Sequence, residues 1–320
     1  MRFHKLIINE WLKLFNRPRT YIFLAIPLLC IVVLGIMSKM YEQSESQQGG
    51  KEWRETIQAK ILIDKKELQK QKKEKEDPVF IEMTESSIKQ NEYALEHNIS
   101  PFETTVWKFV KDTSYINSLI GLFVLIIASE SVSKEFSQGT IKMLLIRPYH
   151  RWKILLSKLV TVILFALSAF MVVLVFSWLV GGLLYGFGGF GQPYVIEDHG
   201  QVATAIYSHY VLKSIGLEVI EFVFLILLTF MISTLFKSSA LAITTSICTL
   251  FIGNIGVILL SAKAWAKYIF IAHMGLTGYL DGSAPFEGVT LSYSLIVLSL
   301  YSVLFLAIMF IFFQRRDVRS

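Results

Sequence analysis

KEFSQGTIKMLLIRPYHRWKILLSK, residues 134–158, packs Lys, Arg and Glu between two apolar stretches of a 320-residue chain that is 53% hydrophobic. Its neighbours explain why such a charged stretch decides the fold. With a mean hydropathy of +0.53 and several apolar runs near the roughly 20 residues a helix needs to cross a bilayer core, the chain reads as a polytopic membrane protein. In lipid the backbone must satisfy its own hydrogen bonds, so the spans are helices. Six are expected, at Tyr21–Met40, Tyr115–Val132, Ile154–Tyr185, Val211–Phe236, Ala240–Leu260 and Thr290–Phe313. The fold class is therefore an all-α integral membrane protein, a six-span helical bundle. The 134–158 stretch is the polar connection between its second and third spans.

Orientation follows from Lys and Arg in short connections, which resist translocation. Arg2, Lys5, Lys13, Arg17 and Arg19 precede the first span; the basic residues of 134–158 and Lys237 follow the second and fourth; Arg315, Arg316 and Arg319 end the chain. With six spans all four groups fall on one side, which places both termini and residues 133–153 in the cytoplasm. A cleavable signal would have a shorter apolar run and a small-x-small site, which GIMSKMY lacks. Within residues 1–19, Phe3, Leu6, Ile7, Trp11, Leu14 and Phe15 recur at helical spacing, while Arg2, Lys5, Asn9, Glu10 and Lys13 take the other side. Such a helix lies on the membrane surface.

Residues 41–114 would be external. From Lys51 to Asp77 basic and acidic residues are nearly balanced, with Trp53, Ile57, Ile61 and Leu68 interspersed; Asp77-Pro78 breaks the pattern, and Ile81, Ile88 and Leu95 follow at sevenfold spacing. This is an extracellular helical hairpin, either a solvated stalk or a dock for an extracellular partner. Residues 186–210 form an external loop, 261–289 an external or re-entrant segment, and 314–320 a cytoplasmic tail. Cys30 and Cys248 fall inside spans and pack as small apolar residues.

Several chemistries are disfavoured. GFGGFG at 186–191 satisfies G-x-G-x-x-G, but a span precedes it and Gln192-Pro193 follows, where a dinucleotide site needs a strand and a helix. The chain has no G-x-x-x-x-G-K-[ST], no H-E-x-x-H and no G-x-S-x-G, so no ATP site, metalloprotease or hydrolase elbow of those types is expected. Glu197, Asp198, His199 and His209 are the only acid–histidine cluster, better read as a solvated loop than as a metal site. No catalytic residue, metal or nucleic-acid partner is expected. Ionisable groups within spans mark pathways more readily. Glu218 and Glu221, three apart on the fourth span, share a face within reach of Lys213; they line a substrate cavity or settle at the interface. Asn254, with Thr244, Thr245 and Thr249, joins helices or faces the pathway.

Within 132–158, Val132, Phe136, Ile141, Leu144 and Leu145 alternate with Ser133, Lys134, Glu135 and Lys142. Gly139 permits a sharp turn and Thr140 can cap the following helix. Pro148 ends it, and Arg151, Lys153 and Lys158 mark the return into the bilayer. Helix, corner and helix, charge outward, suit docking to a soluble partner. The stretch resembles the signature of the permease subunits of type 2 ABC transporters, E-x-x-x-G-T-[IL]-[KR]-x-L-L-x-x-P-x-x-R. Glu135, Gly139, Thr140, Ile141, Lys142, Leu144, Leu145, Pro148 and Arg151 match it in register. The six spans and the amphipathic first helix extend the resemblance, while the 41–114 insertion departs from the shortest members.

The resemblance implies a half-transporter, with two permease copies and two separate ABC ATPase subunits, in the bacterial plasma membrane. ATP and Mg2+ then bind the partner subunit and no cofactor binds this chain. The loop would be a coupling helix that, with the first helix, transmits ATPase closure to the spans and drives export of an amphipathic substrate such as an antimicrobial peptide or a drug. Glu135 and Lys142 would be its outward polar contacts, Phe136 and Leu144 its apolar anchors, and Gly139 and Thr140 its corner. A secondary transporter, or a membrane sensor or scaffold working through the hairpin, is the alternative.

Overall fold

Each long apolar run folds as a helix because only internal i to i−4 hydrogen bonding satisfies its backbone among greasy side chains. The computed structural model describes residues 3–47, 53–74, 78–100, 104–137, 150–198, 201–260, 265–281 and 289–315. In chain order the main helices are α1 (Phe3–Phe15), α2 (Pro18–Gln47), α3 (Trp53–Glu74), α4 (Pro78–Glu96), α5 (Val106–Asp112) and α6 (Tyr115–Ser137). Then come α7 (Arg151–Tyr185), α8 (Tyr207–Phe236), α9 (Ser239–Leu260) and α10 (Leu291–Arg315). Five helices, α2, α6, α7, α8 and α10, contain stretches long and apolar enough to cross a membrane. Ser239–Thr249 of α9 is a shorter apolar helical stretch.

The helices are not equivalent. In α6 and α8, 61% of the most apolar stretch is buried, against 22% in α2 and α10, so the first pair forms the centre and the second the periphery. The peripheral helices turn Leu29, Met37, Leu300 and Val303 outward, where hydrocarbon can solvate them without cost. Small residues and hydroxyls bring the central helices together. Gly121 of α6 faces the ring of Phe222 of α8, and a Cβ there would lie 2.0 Å from it. The Ser233 hydroxyl of α8 donates to the Ser129 carbonyl of α6 at 2.5 Å, and Thr229 and Ser246 share a hydrogen bond of 2.5 Å between α8 and α9. Without a hydrophobic drive between helices in lipid, such close packing and hydrogen bonding are what join them. Lys237, in the left-handed conformation (φ 53°), turns α8 into α9 within two residues.

At one end of the bundle sits α1. The opposite end carries the remaining elements. There α3 and α4 form a hairpin whose inner line is Ile57, Ile61 and Ile88, with Trp53, Leu68 and Leu95 beside it. Lys65 pairs with Glu92 and Lys72 with Glu85, each at 2.6 Å, across its exposed face. The short α5, capped by Thr105, buries Trp107, Phe109 and Val110 and lays the Phe109 ring against Gly181 of α7. Residues 41–114 are thus more than a hairpin: their last part belongs to the bundle core.

At this end residues 186–210 add one short β-hairpin to a mostly helical fold. β1 (Pro193–Asp198) and β2 (Gln201–Ile206) pair antiparallel with Tyr194 opposite Ala205 and Ile196 opposite Ala203. The β-branched alternation of PYVIED and QVATAI favours this pleat, which the neighbouring glycines obscure in the sequence. Between α9 and α10 the chain makes 3-10 turns at Ala266–Tyr268, Phe270–His273 and Leu276–Asp281. Buried His273 ties this segment down, meeting the Lys267 carbonyl at 2.8 Å and the Ser294 hydroxyl at 2.7 Å. Burial holds its imidazole below the ordinary pKa.

Because Gly121 has no room for a methyl group, Gly121→Ala should destabilise the bundle by about 1–3 kcal/mol, the range for overpacking. Adding Phe222→Leu should restore much of the loss. Thermal unfolding of purified single and double variants checks this; equal midpoints for wild type and Gly121→Ala would show that the α6–α8 seam is not close-packed.

Candidate functional site at the first-helix end

α1 reaches the bundle through one side of an amphipathic pattern. Leu14 is buried, Trp11 and Phe15 pack beside it, and both rings meet Phe165 of α7, at 6.5 and 5.9 Å between centroids. Thr161 of α7 donates to the Ile7 carbonyl at 3.4 Å, and Thr20 donates to the Leu14 carbonyl at 2.7 Å, fixing the corner into α2. Phe3 is half-buried, while Ile8 and Leu12 are exposed. α1 is therefore docked on α7 rather than merely laid on a surface.

The same face carries charge. Lys158 of α7 is almost wholly buried, its side chain 4% exposed, and its ammonium donates to Glu10 of α1 at 2.7 Å and to Glu135 of α6 at 2.5 Å. Lys13 adds a contact of 2.6 Å to Glu10 and one of 3.9 Å to Glu135. Among the described residues two ammonium groups thus meet two carboxylates. One turn earlier on α6, Glu130 pairs with Arg19 of α2 and, at 2.7 Å, with Lys134. Burial disfavours the charged form of Glu10, but Lys158 and Lys13 outweigh it and hold its carboxyl below the ordinary 4.5.

Glu135 is accordingly not on the water side. Its side chain is 15% exposed and turned inward to Lys158, because a lysine about two turns into an apolar helix must find anions or leave the bundle. Arg151 opens α7, half-buried. Gly139, Thr140, Ile141, Lys142, Leu144, Leu145 and Pro148, with the Phe136 side chain, lie outside the described residues, as does the Asn254 side chain within α9. What is described are the two flanks, α6 ending at Ser137 and α7 beginning at Arg151. Lys158 and Glu10 complete the cluster, a partnership that their places in the sequence do not announce. Their only sequence signal is a lysine inside an apolar periodicity and an acid on the edge of an amphipathic face.

At the other end, Glu218 and Glu221 share α8 but have separate partners. Glu218 accepts a hydrogen bond of 2.7 Å from buried Asn117 of α6, not from Lys213, which is exposed. Glu221 accepts the Leu276 backbone N–H and so caps the 3-10 segment. Nearby Lys111 of α5 donates to Ser214 at 3.2 Å, and Tyr210 donates to Asp281 at 2.5 Å. Outside the spans, burial raises the Tyr194 hydroxyl, with Asp281 and Asp112 adding to it. Burial also raises the Asp112 carboxyl, against the pull of Lys108 and Lys111. Among the described residues no group of His, Cys, Asp and Glu could hold a metal ion.

Sequence comparison adds relatives without an assigned activity. Residues 78–319 match the family described as "Protein of unknown function (DUF2705)". The chain is 36% identical over 329 residues to "Uncharacterized protein YhcI" of Bacillus subtilis (strain 168), covering 98% of this chain and 99% of that one. It is 29% identical over 214 residues to "Uncharacterized membrane protein YdbK" of the same organism, covering 66% of this chain and 82% of that one.

Removing Lys158 takes the buried cation from Glu10 and Glu135, and breaking a buried pair costs about 3–5 kcal/mol. Lys158→Met should lower the unfolding midpoint accordingly, and adding Glu10→Gln and Glu135→Gln should recover most of it. Glu135→Arg, which sets a third cation beside Lys158 and Lys13, should also destabilise the fold. An unchanged midpoint for Lys158→Met would show that the cluster contributes nothing. The pH dependence has a definite sign. A carboxyl whose pKa is lowered by folding stabilises the native state above its unfolded value near 4.5 and loses that contribution as pH falls through the folded value. The midpoint difference between wild type and Glu10→Gln should therefore shrink on acidification through that range.

Proposed function

We propose that this chain, which belongs to the DUF2705 family, is the membrane-spanning permease subunit of an ATP-driven exporter of the type 2 ABC class. It works with a separate ATPase subunit and a second permease copy. One observation carries the reading: α1, α6 and α7 converge on Lys158 at the two flanks of residues 138–149, the stretch whose residues resemble the coupling signature. A loop that transmits force must be anchored to what it moves. Here the chain entering and leaving the loop is tied both to the bundle and to the amphipathic first helix by buried ion pairs.

On this reading α9 is a sixth span, the termini and residues 138–149 are cytoplasmic, and the α3–α4 hairpin is external, in keeping with the Lys and Arg bias of the short connections. The partner subunit binds ATP and Mg2+, and its closure pushes on the loop and on α1. Because α1 and both flanks of the loop share one ion-pair cluster, the push reaches α6 and α7 together. ATP biases the bundle toward an outward-open state by binding one conformation of the assembly more tightly than the other. The cargo is an amphipathic molecule.

The test separates docking from folding. Lys142→Glu changes a residue of the loop and none of the Lys158 cluster. It should leave membrane abundance and unfolding midpoint unchanged while abolishing recovery of an ATPase subunit when the tagged chain is purified from native membranes. Charge reversal at a docking surface costs about 2–5 kcal/mol, enough to lose the partner on washing. If no ATPase accompanies the wild-type chain, or if Lys142→Glu retains it, the reading is wrong.

A further inference from the structure

The hairpin end encloses a cavity of about 550 Å3, the size of sites that hold drug-sized ligands. Distant parts of the chain wall it, among them Asn91 of α4, Asp112 of α5, Ser118 of α6, Tyr194 of β1, and Tyr207 and Glu218 of α8. The lining is polar as well as aromatic, so lipid tails are a poor match for it.

Which charge the cavity offers depends on what is already used. Two lysines and two acids line it. Lys111 is committed, donating to Ser214 and lying 5.1 Å from the centre of the Tyr210 ring, and Lys108 also has a partner. Asp112 faces outward on its helix and makes no hydrogen bond or ion pair among the described residues, feeling Lys108 and Lys111 only at longer range. Glu218 accepts through one oxygen from Asn117. Tyr194 and Tyr207 stack at 4.4 Å with 14° between their planes, which sets a pair of ring systems beside the two acids. Carboxyl groups with spare acceptor capacity next to tyrosine rings are the surroundings an organic ammonium seeks, pairing with the acids and lying against the ring systems.

We propose that this cavity binds the primary ammonium group of an amphipathic ligand, with Asp112 and Glu218 as its carboxyl partners and Tyr194 and Tyr207 against its adjoining carbon chain. This deepens the export function by naming the substrate class, and it rests on that reading for its physiological use. The hairpin gains a role from it. α4 closes one side of the cavity, so the insertion helps to build the site rather than standing apart from it.

Binding can be measured without any partner subunit. The full chain in lipid nanodiscs is titrated with dansylcadaverine, a fluorescent primary amine, and with its N-acetylated neutral form, with empty nanodiscs subtracted. The amine should bind at least about tenfold tighter than the acetylated form, as one charge-assisted contact worth about 1.4 kcal/mol requires. Asp112→Asn should erase most of that preference while leaving the unfolding midpoint unchanged. Ser118→Trp, which fills the cavity from α6 without removing a charge, should weaken both probes. Equal affinity for the two probes, or an Asp112→Asn variant that binds like wild type, would overturn the proposal. Amine binding without a co-purifying ATPase would sink the export reading alone; ATPase-driven export by a chain that shows no amine preference would sink this inference alone.

Discussion

A single ammonium group, that of Lys158, organises the end of the molecule where α1 sits. Moving an ammonium out of water costs several kcal/mol, and that cost is offset only when anions meet it with good geometry. Glu135 supplies one from α6 and Glu10 another from α1, while Lys13 balances the second carboxylate. Residues 10, 135 and 158 come from three helices, so the requirement of one side chain fixes three backbones. Apolar packing alone would not: the contact of Trp11 and Phe15 with Phe165 tolerates sliding, whereas a carboxylate at 2.5 Å does not. The ion cluster sets register and the aromatic contact supplies area.

The two ends solve the same problem differently. At the α1 end charges cancel one another among side chains. At the hairpin end polar groups are satisfied by backbone and amide partners: Glu221 caps Leu276, Asn117 holds Glu218, and His273 ties its segment to Ser294. The first arrangement resists deformation because parting equal numbers of cations and anions exposes both. The second leaves acceptor capacity unused around a cavity. On the proposed export reading this division suits the work, with a stiff end receiving force and a looser, polar-lined end meeting cargo.

Much of the fold is legible in the amino-acid sequence. Because in lipid a span must be both apolar and helical, the apolar runs mark the long helices to within about four residues at most ends, falling five and seven residues short where α6 and α2 run on past their apolar stretches. The hairpin line of Ile57, Ile61, Ile88 and Leu95 is visible as well, since interleaved charge leaves few apolar positions to face inward. Less legible are the elements whose partners are remote. VWKFVKD looks like the tail of a charged insertion, yet Phe109 reaches Gly181. PYVIED and QVATAI are too short to outweigh the surrounding glycines. The acid at position 135 reads as outward in a loop of alternating charge, and only the neighbourhood of Lys158, a lysine 23 residues later, turns it inward. Periodicity shows which face of an element is wet; it carries no information about which distant residue will meet that face.

That blindness bears on the signature residues themselves. A glutamate at the head of a stretch that resembles a coupling signature invites the reading of a contact to a partner, but Glu135 turns one oxygen to Lys158 and buries the other. On the proposed export reading the outward contact falls on later residues, Lys142 foremost, which has no acid closer in sequence than Glu135. On the proposed export reading Glu135 is instead the joint by which motion of the loop is passed to α7 and to α1. On that reading a partner pressing on the loop need not touch Glu135 to act through it, for the ion pair with Lys158 ties the end of α6 to α7.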